Sequence, residues 1–403
     1  MRLPVGREAH LTYCTNIHAG ETWPEVRANL ARYVVAVKAR VAPDAPFGVG
    51  LRLSAQAAQA LADPKELAAF REFLDAEGLY VFTVNGFPYG PFHGTRVKED
   101  VYLPDWMDPE RLAYTDRLAR LLAELLPPQA GLEGSISTSP GAFRTRVRSV
   151  GDADRMADFM LRHLATLHRI HDETGKVISL AIEPEPCCYI ETVADAVQFF
   201  ERHLFTVAAA ERLGTLTGLG KSASEAFIRR HLGVCFDACH MAVEFEDPRA
   251  ALDAFRSAGI RIAKFQISAG LKVVFDGRRQ ELLDALQPFA EGVYLHQVVE
   301  RGPRGLTRYV DLPDALAAAG RGAAAPEWRI HFHVPLFLER LGLFSNTQDY
   351  LRELFGLLHP DVRSQHFEVE TYTWDVLPEQ YRRDDIVTAV ARELAWVREH
   401  MAS

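Results

Sequence analysis

Three carboxylates stand at the ends of apolar runs in this sequence, where a carboxylate is costly to bury. Glu183 ends the run in VISLAIEPEP, Asp237 ends the run in LGVCFDACH, and Glu370 lies late in HFEVETYTW. A charged group beside a buried strand needs a counter-ion, a proton or a metal ion. We therefore interpret these residues as metal ligands. The alternatives are solvated loop carboxylates and, for Asp237, capping of the next helix.

Histidines and a lysine near similar runs could complete such a site. His240 follows Asp237 by three residues, and His331 and His333 share one face of WRIHFHVPL. Lys264 lies inside RIAKFQIS, where it could hold a substrate oxygen or form a structural ion pair. Oxygen ligands with one imidazole suit Zn²⁺, Mn²⁺, Mg²⁺ or Co²⁺. The pattern predicts a divalent metal ion as cofactor, with His333 either a ligand or a hydrogen-bonded core residue.

Short apolar runs alternate with longer helical patterns along the chain, which is typical of parallel βαβ units. We predict one (β/α)8 barrel domain over 1–403, with its active site at the carboxyl ends of the strands. Nine runs compete for eight strands, so the seventh strand is either 260–268 or 328–334. Residues 271–327 are expected to be an insertion with a helix and a hairpin. A doubly wound open sheet is the alternative, although no G-x-G-x-x-G motif follows an early strand.

The composition of the chain indicates which classes of binding partner to expect. The formal net charge is −9, and an acidic chain lacks the basic footprint of most nucleic-acid-binding proteins. The sequence contains no run of about 18 apolar residues, so no membrane span is predicted. The five cysteines are an odd number, and no secretory signal is evident at the N-terminus, which favours a cytoplasmic location. The expected ligand is a small-molecule metabolite.

Three segments, IEPEP, FDACH and VETYTW, resemble the metal-binding strands of the xylose isomerase-like TIM barrel superfamily. That superfamily includes sugar epimerases, isomerases and endonuclease IV. The resemblance implies the same three carboxylates as ligands and His240 as a substrate contact. If 260–268 is the seventh strand, the resemblance also places Gln266 where the epimerases have a metal-binding histidine. Either Gln266 is a weaker ligand there, or His333 supplies the nitrogen from a displaced strand.

Longer segments are similar to the EboE family across nearly the whole chain. They are HLTYCTNIHAGETW, FGVGLRLS, VNGFPYGPFHG, YLHQVVE and HFHVP. The family is named for metabolite traffic, and its operon is linked to export of secondary metabolites. This resemblance implies a xylose isomerase-like barrel that works in such a pathway, with other proteins of the pathway as partners.

Three functions fit these residues. The first is a metal-dependent isomerase or epimerase of a small polyhydroxylated metabolite. In it Glu183 and Glu370 move a proton, His240 and Lys264 hold substrate oxygens, and the loop 87–92 covers the mouth. The second is a non-catalytic barrel that binds a metabolite or a partner protein for trafficking. The third is a phosphodiesterase or nuclease of the endonuclease IV kind, which the acidic charge disfavours.

Overall fold

The computed structural model describes residues 1–3, 9–94, 96–128, 131–319, 326–358 and 364–402. Within these ranges the chain forms fifteen strands in two sheets. In chain order the strands are β1 Arg2–Leu3, β2 Ala9–Tyr13, β3 Phe47–Arg52, β4 Leu79–Asn85, β5 Gly134–Thr138, β6 Ile178–Ile182, β7 Leu232–Asp237, β8 Arg261–Ile267, β9 Gly270–Val274, β10 Val298–Gly302, β11 Gly305–Tyr309, β12 Glu327–His333, β13 Arg340–Leu341, β14 Phe344–Asn346 and β15 His366–Val369.

Eight parallel strands, β2 to β8 and β15, form the first sheet and curve into a barrel. Their order is β2-β15-β8-β7-β6-β5-β4-β3, and β1 adds an antiparallel pair to β2. A parallel bridge between Cys14 and Gly50 brings β3 back to β2. The predicted α/β barrel is confirmed, and the doubly wound open sheet is wrong.

Helices connect successive barrel strands, and their ends follow local sequence signals. The longest, α6, begins after Ser149, whose hydroxyl accepts from the backbone N–H of Asp152, and ends at Gly175 with φ of 69°, a conformation that suits glycine. None of the described helices combines the length and apolar character that a bilayer crossing requires. The α-helices are α1 Trp23–Asn29, α2 Val35–Val41, α3 Ala55–Leu61, α4 Pro64–Glu77, α5 Pro109–Leu125, α6 Val150–Thr174, α7 Val193–Phe199, α8 Val207–Thr217, α9 Lys221–His231, α10 Ala238–Val243, α11 Pro248–Ser257, α12 Arg279–Leu286, α13 Leu312–Ala319, α14 Gln348–Leu358 and α15 Ile386–Ala402.

The second sheet is antiparallel and lies in the chain between barrel strands β8 and β15. Its order is β11-β10-β12-β9-β14-β13. Because β8 pairs with β7 and β15, it is the seventh barrel strand, whereas the run at 328–334 pairs with β10 and β9. The second sheet therefore extends beyond 271–327, the interval expected as an insertion, since β12, β13 and β14 also belong to it. The single-domain organisation stays a prediction.

The barrel interior is crowded beside Gly50 of β3. A Cβ atom there would lie 1.9 Å from Glu368 Oε2 and 2.6 Å from the backbone oxygen of Tyr13. Glu368 is fully buried, and its Oε1 accepts a hydrogen bond from Lys264 Nζ at 2.7 Å. Glycine at position 50 therefore leaves the space that this buried ion pair occupies.

A helical residue ties together two chain segments that follow strands of different sheets. Oε1 of Glu393, in α15, accepts from Thr371 Oγ1 at 2.7 Å and from the backbone N–H of Leu336 at 3.1 Å. Burial raises the pKa of Glu393 to about 7, although both hydrogen bonds oppose the shift. The folded chain therefore keeps a proton on Glu393 at pH values where the unfolded chain has lost it.

Replacing Gly50 by alanine should destabilise the barrel. The added methyl group must displace Glu368 or the backbone at Tyr13, and overpacking of this kind costs about 1–3 kcal/mol. Gly356→Ala is the matched control, because a Cβ there meets nothing within 4 Å and alanine favours the helix by about 0.5–1 kcal/mol. Chemical denaturation measures both effects. A Gly50→Ala variant as stable as the wild type would contradict the packing described here.

Replacing Glu393 by glutamine should change how stability depends on pH. Between the ordinary pKa of Glu393, 4.5, and its folded pKa of about 7, the wild type loses free energy of unfolding as pH rises, because the unfolded chain ionises Glu393 while the folded chain still holds the proton. Glutamine keeps an acceptor oxygen and cannot ionise. We expect Glu393→Gln to gain about 1–3 kcal/mol on the wild type between pH 5 and pH 8. Glu399→Gln, at an exposed position of the same helix, should show no such gain, and equal curves for all three proteins would refute the assignment.

Candidate metal centre

The three carboxylates predicted as ligands meet at the carboxyl-terminal end of the barrel. Glu183 follows β6, Asp237 ends β7 and Glu370 follows β15. All three are buried, and one oxygen of each lies within 4.8 Å of the oxygens offered by the other two. The parallel barrel thus brings together anionic groups that lie far apart in the sequence.

Two of these carboxylates keep a buried oxygen without a hydrogen-bond partner, Glu183 Oε2 and Asp237 Oδ2. Asp237 Oδ1 accepts from Ser268 Oγ at 2.7 Å and from the backbone N–H of His240 at 2.9 Å. The second bond caps α10, so helix capping and metal binding each use a different oxygen of Asp237. Buried anionic oxygens that lack donors call for a cation or a proton, and this oxygen-rich set fits a divalent metal ion.

Two asparagines orient Glu370. Asn16 Nδ2 and Asn85 Nδ2 donate to Glu370 Oε1 at 2.8 and 3.0 Å. Asn16 lies in the short 3₁₀ turn after β2, and Asn85 ends β4, where its own Oδ1 accepts from the backbone N–H of Phe87. These neutral donors fix the carboxylate without neutralising its charge.

His333 reaches the carboxylates from the second sheet, at the end of β12. Its Nδ1 lies 2.9 Å from the backbone oxygen of Glu370, and its Nε2 is buried without a hydrogen-bond partner. A ring that donates one N–H to a carbonyl and leaves the other nitrogen bare has the arrangement of a metal-bound histidine. One ligand atom each of His333, Asp237 and His240 lie within 4.8 Å of one another. This geometry fits the possibility, left open by the sequence, that His333 supplies the nitrogen ligand from a displaced strand.

Gln266, the other candidate at the seventh-strand position, is fully buried near the end of β8. It pairs in register with Asp237 of β7 and Glu368 of β15. An amide oxygen is a harder and poorer ligand for Zn²⁺ or Co²⁺ than an imidazole nitrogen. Gln266 remains a candidate ligand beside His333.

The structure does not bring Lys264 to the cavity. Its Nζ donates to Glu368 Oε1 at 2.7 Å and to Ser137 Oγ at 3.3 Å, and the side chains of Lys264 and Glu368 are fully buried. Lys264 and Glu368 each stand two residues before a member of the ligand group, Gln266 and Glu370, and so one layer deeper in the barrel. This position fits the structural ion pair that the sequence left open, and it leaves Lys264 without contact to a substrate in the cavity.

Burial opposes ionisation of the acidic groups at this site. It raises the pKa of Glu183 well above the usual range, and the charges of Glu370 and Asp237 add to the effect. Burial also raises the pKa of Glu370 to about 8 and lowers the pKa of His333 to about 4. A divalent cation among these groups would reverse the balance, because it stabilises the carboxylates and the neutral imidazole alike.

A cavity of about 520 Å³, counted to its open mouth, adjoins these ligands. Glu183, Glu370 and His240 contribute polar groups to its wall. The remaining wall comes mostly from the chain between β4 and α5 and from the chain before β10. Its aromatic and apolar members are Phe87, Pro88, Phe92, Val97, Val101, Tyr102, Tyr294, Leu295 and Tyr372. The loop 87–92 therefore lies where the sequence predicted a cover.

Several groups in this wall were not predicted as site residues from the sequence. Tyr102 donates its O–H to Glu185 Oε1 at 2.7 Å, and Gln297 Nε2 donates to Tyr102 Oη at 3.0 Å. Gln297 Oε1 lies 2.8 Å from His331 Nδ1. Glu185 shares a strand face with Glu183 in the sequence pattern, and that signal could have marked it. Tyr102 lies in a turn with no comparable signal.

No protein-family model matches the chain, and no curated protein does either. Solved structures do match. A xylose isomerase-like TIM barrel protein from Mycobacterium smegmatis, in complex with magnesium, has a TM-score of 0.50 at 13% identity, covering 98% of this chain and 96% of that one. The IOLI protein with a binding zinc atom has a TM-score of 0.47 at 12% identity and covers 98% of both chains.

A third similar structure is the probable 3-DHS dehydratase AsbF of Bacillus anthracis. Its TM-score is 0.46 at 10% identity, over 96% of this chain and 98% of that one. At identities this low, the likeness shows the fold alone. The chain therefore has an α/β barrel fold similar to that of the Mycobacterium smegmatis protein.

Proposed function

We propose that this protein is a metal-dependent isomerase or epimerase of a small polyhydroxylated metabolite. One observation carries the proposal: buried oxygens of Glu183 and Asp237 and the buried Nε2 of His333 lack hydrogen-bond partners, and Asp237 offers a ligand atom within 4.8 Å of one from Glu183 and of one from His333, beside a cavity. Zn²⁺, Mn²⁺, Mg²⁺ and Co²⁺ all suit this donor set. The residues that would hold the ion are Glu183, Asp237, Glu370 and His333, with Gln266 as a further candidate.

Once bound, the ion would polarise a carbonyl and hydroxyl pair of the substrate. Proton movement falls to Glu183 and Glu370, because these are the two carboxylates of the ligand group that also line the cavity. Asn16 and Asn85 keep the Glu370 carboxylate in one orientation. His240 lines the same cavity and would face the substrate oxygens.

The cavity favours an uncharged substrate. Lys98 is the one Lys or Arg among its described lining residues. The Lys98 Nζ is already engaged by Asp311 Oδ2 at 2.6 Å and by the backbone oxygens of Tyr294 and Glu291 at 2.6 and 3.1 Å. A phosphate or carboxylate would therefore find no free lysine or arginine in the described wall. We infer a neutral ketose or cyclitol whose apolar ring face packs on the aromatic side chains.

The EboE resemblance supports a place for this activity in the traffic of secondary metabolites, alongside other proteins of that pathway. A non-catalytic metabolite-binding barrel is the second candidate. The observation that favours it is Gln266 at the end of the seventh strand, where the epimerases have a histidine. The endonuclease-like reading is weaker, because a chain with a formal net charge of −9 lacks the basic surface that usually binds nucleic acid.

Metal content of the untagged protein tests the first step. We expect one divalent ion or more per wild-type chain. The variant Glu183→Gln/Glu370→Gln should lose the ion from this site, because glutamine cannot balance the charge of the ion. The control is Glu72→Gln/Glu225→Gln, which removes two exposed carboxylates and should keep the metal. Elemental analysis after dialysis gives the stoichiometry. Wild-type protein that is metal-free and ignores added Mn²⁺ and Zn²⁺ would refute the proposal.

Proton exchange tests the chemistry. We expect metal-loaded wild type in D₂O to place deuterium on a carbon beside the carbonyl of a neutral ketose or inosose, as NMR would show. Glu370→Gln should slow exchange at least about 100-fold, the usual contribution of a general acid–base group. Phosphorylated counterparts should react poorly. If the protein binds metal and a neutral polyol but catalyses no proton exchange in any ketose or inosose tested, the result would support the non-catalytic metabolite-binding barrel instead.

A further inference from the structure

A second group of potential ligands lies beside the site described above, and the proposed function uses only one of its members, His240, as a substrate contact. One ligand atom each of Glu185, His240 and His331 lie within 4.8 Å of one another, and all three residues are buried. Glu185 follows β6, His240 lies in α10, and His331 lies in β12 two residues before His333. All three residues also line the cavity.

The hydrogen bonds fix which nitrogen of each ring carries a proton. His240 Nδ1 lies 2.9 Å from the backbone oxygen of Pro184, which can only accept. His331 Nδ1 lies 2.8 Å from Gln297 Oε1. The Gln297 amide cannot be turned over, because its Nε2 donates to the backbone oxygen of Pro186 at 3.3 Å. Both rings therefore donate from Nδ1, and each neutral ring has a lone pair on Nε2.

These two lone pairs face each other. His240 Nε2 and His331 Nε2 are 3.1 Å apart, with the ring planes at 80°. Two acceptor nitrogens at that distance repel unless a proton or a cation lies between or beside them. Tyr372 Oη is 3.5 Å from His331 Nε2, at the far limit for a donor, and it leaves His240 Nε2 without one.

Other features of the group match those around metal-bound histidines. Each Nδ1–H is held by an oxygen acceptor, which orients the ring and raises the basicity of Nε2. Tyr102 and Gln297 hold the Glu185 carboxylate through the bond from Tyr102 Oη at 2.7 Å. The unpaired Asp237 Oδ2 lies 3.9 Å from His240 Nε2, between this group and the first.

We propose that Glu185, His240 and His331 form a second cation site, next to the Glu183, Asp237 and Glu370 site and sharing Asp237 as its neighbour. Two imidazoles and one carboxylate favour Zn²⁺ or Co²⁺ over Mg²⁺. The inference extends the metal centre of the proposed function, but its ligands are different residues, so it can fail alone. A substrate in the cavity would then meet two cations, one at each group.

Cobalt titration of the full chain, stripped of metal, tests the second site. We expect two Co²⁺ ions per wild-type chain by equilibrium dialysis, and one in His331→Asn or Glu185→Gln. Two variants are used because either substitution alone could impair folding, which circular dichroism would reveal. His163→Asn is the control, since His163 is equally buried but bonded to Asp116 away from the cavity, and it should keep both ions.

The outcomes separate the two proposals. One Co²⁺ per wild-type chain, unchanged in His331→Asn and lost in Glu183→Gln/Glu370→Gln, would overturn the second site and mean that the facing nitrogens share a proton. No Co²⁺ in the wild type would overturn the first site as well. As a readout independent of activity, the wild type loaded with two Mn²⁺ should show spin coupling by electron paramagnetic resonance, which the single-ion variants should lack.

Discussion

The barrel mouth holds three carboxyl groups within 4.8 Å of one another and out of water. Like charges that close cannot all ionise in a buried site unless a cation joins them. The neighbouring residues are arranged around this constraint: Ser268 and the asparagines donate to one oxygen of Asp237 or Glu370 and do nothing for the charge. Among the described ion pairs, none joins a lysine or arginine to Glu183, Asp237 or Glu370, so compensation must come from outside the chain or from protons.

One layer deeper in the barrel, a buried carboxylate is neutralised by a side chain of the protein itself. Glu368 is as buried as the ligands, but Lys264 Nζ lies 2.7 Å from it, and Gly50 leaves room for the pair. A buried carboxylate with its own ammonium needs no metal ion. The two layers differ in which side chains accompany the carboxylates: the deeper layer has a lysine, whereas none of the described ion pairs brings one to the carboxylates of the barrel mouth. Lys264 faces inward two residues before Gln266, but its partner is Glu368, so its position does not imply catalysis.

Local patterns predicted much of this structure. The apolar runs located the barrel strands, and the carboxylates at strand ends came together as expected. The chain at 328–334 could not be placed, because an apolar run does not reveal whether its neighbours are parallel or antiparallel. Pairing with β9 and β10 decides that, and it depends on residues far away in sequence. For the same reason the sequence could not choose between His333 and Gln266, nor assign Tyr102 a role.

The second sheet does more than cover the barrel, because it brings two imidazoles to the carboxylates at the barrel mouth. β12 carries His331 and His333 to the carboxylates, and the chain just before β10 contributes Tyr294 and Gln297 to the cavity. Lys98 joins the chain after β4 to the same region through Tyr294. The candidate ligands and the cavity wall thus belong to one packed unit. A change that loosens β12 would therefore displace the imidazoles from the carboxylates and disturb the wall of the cavity together.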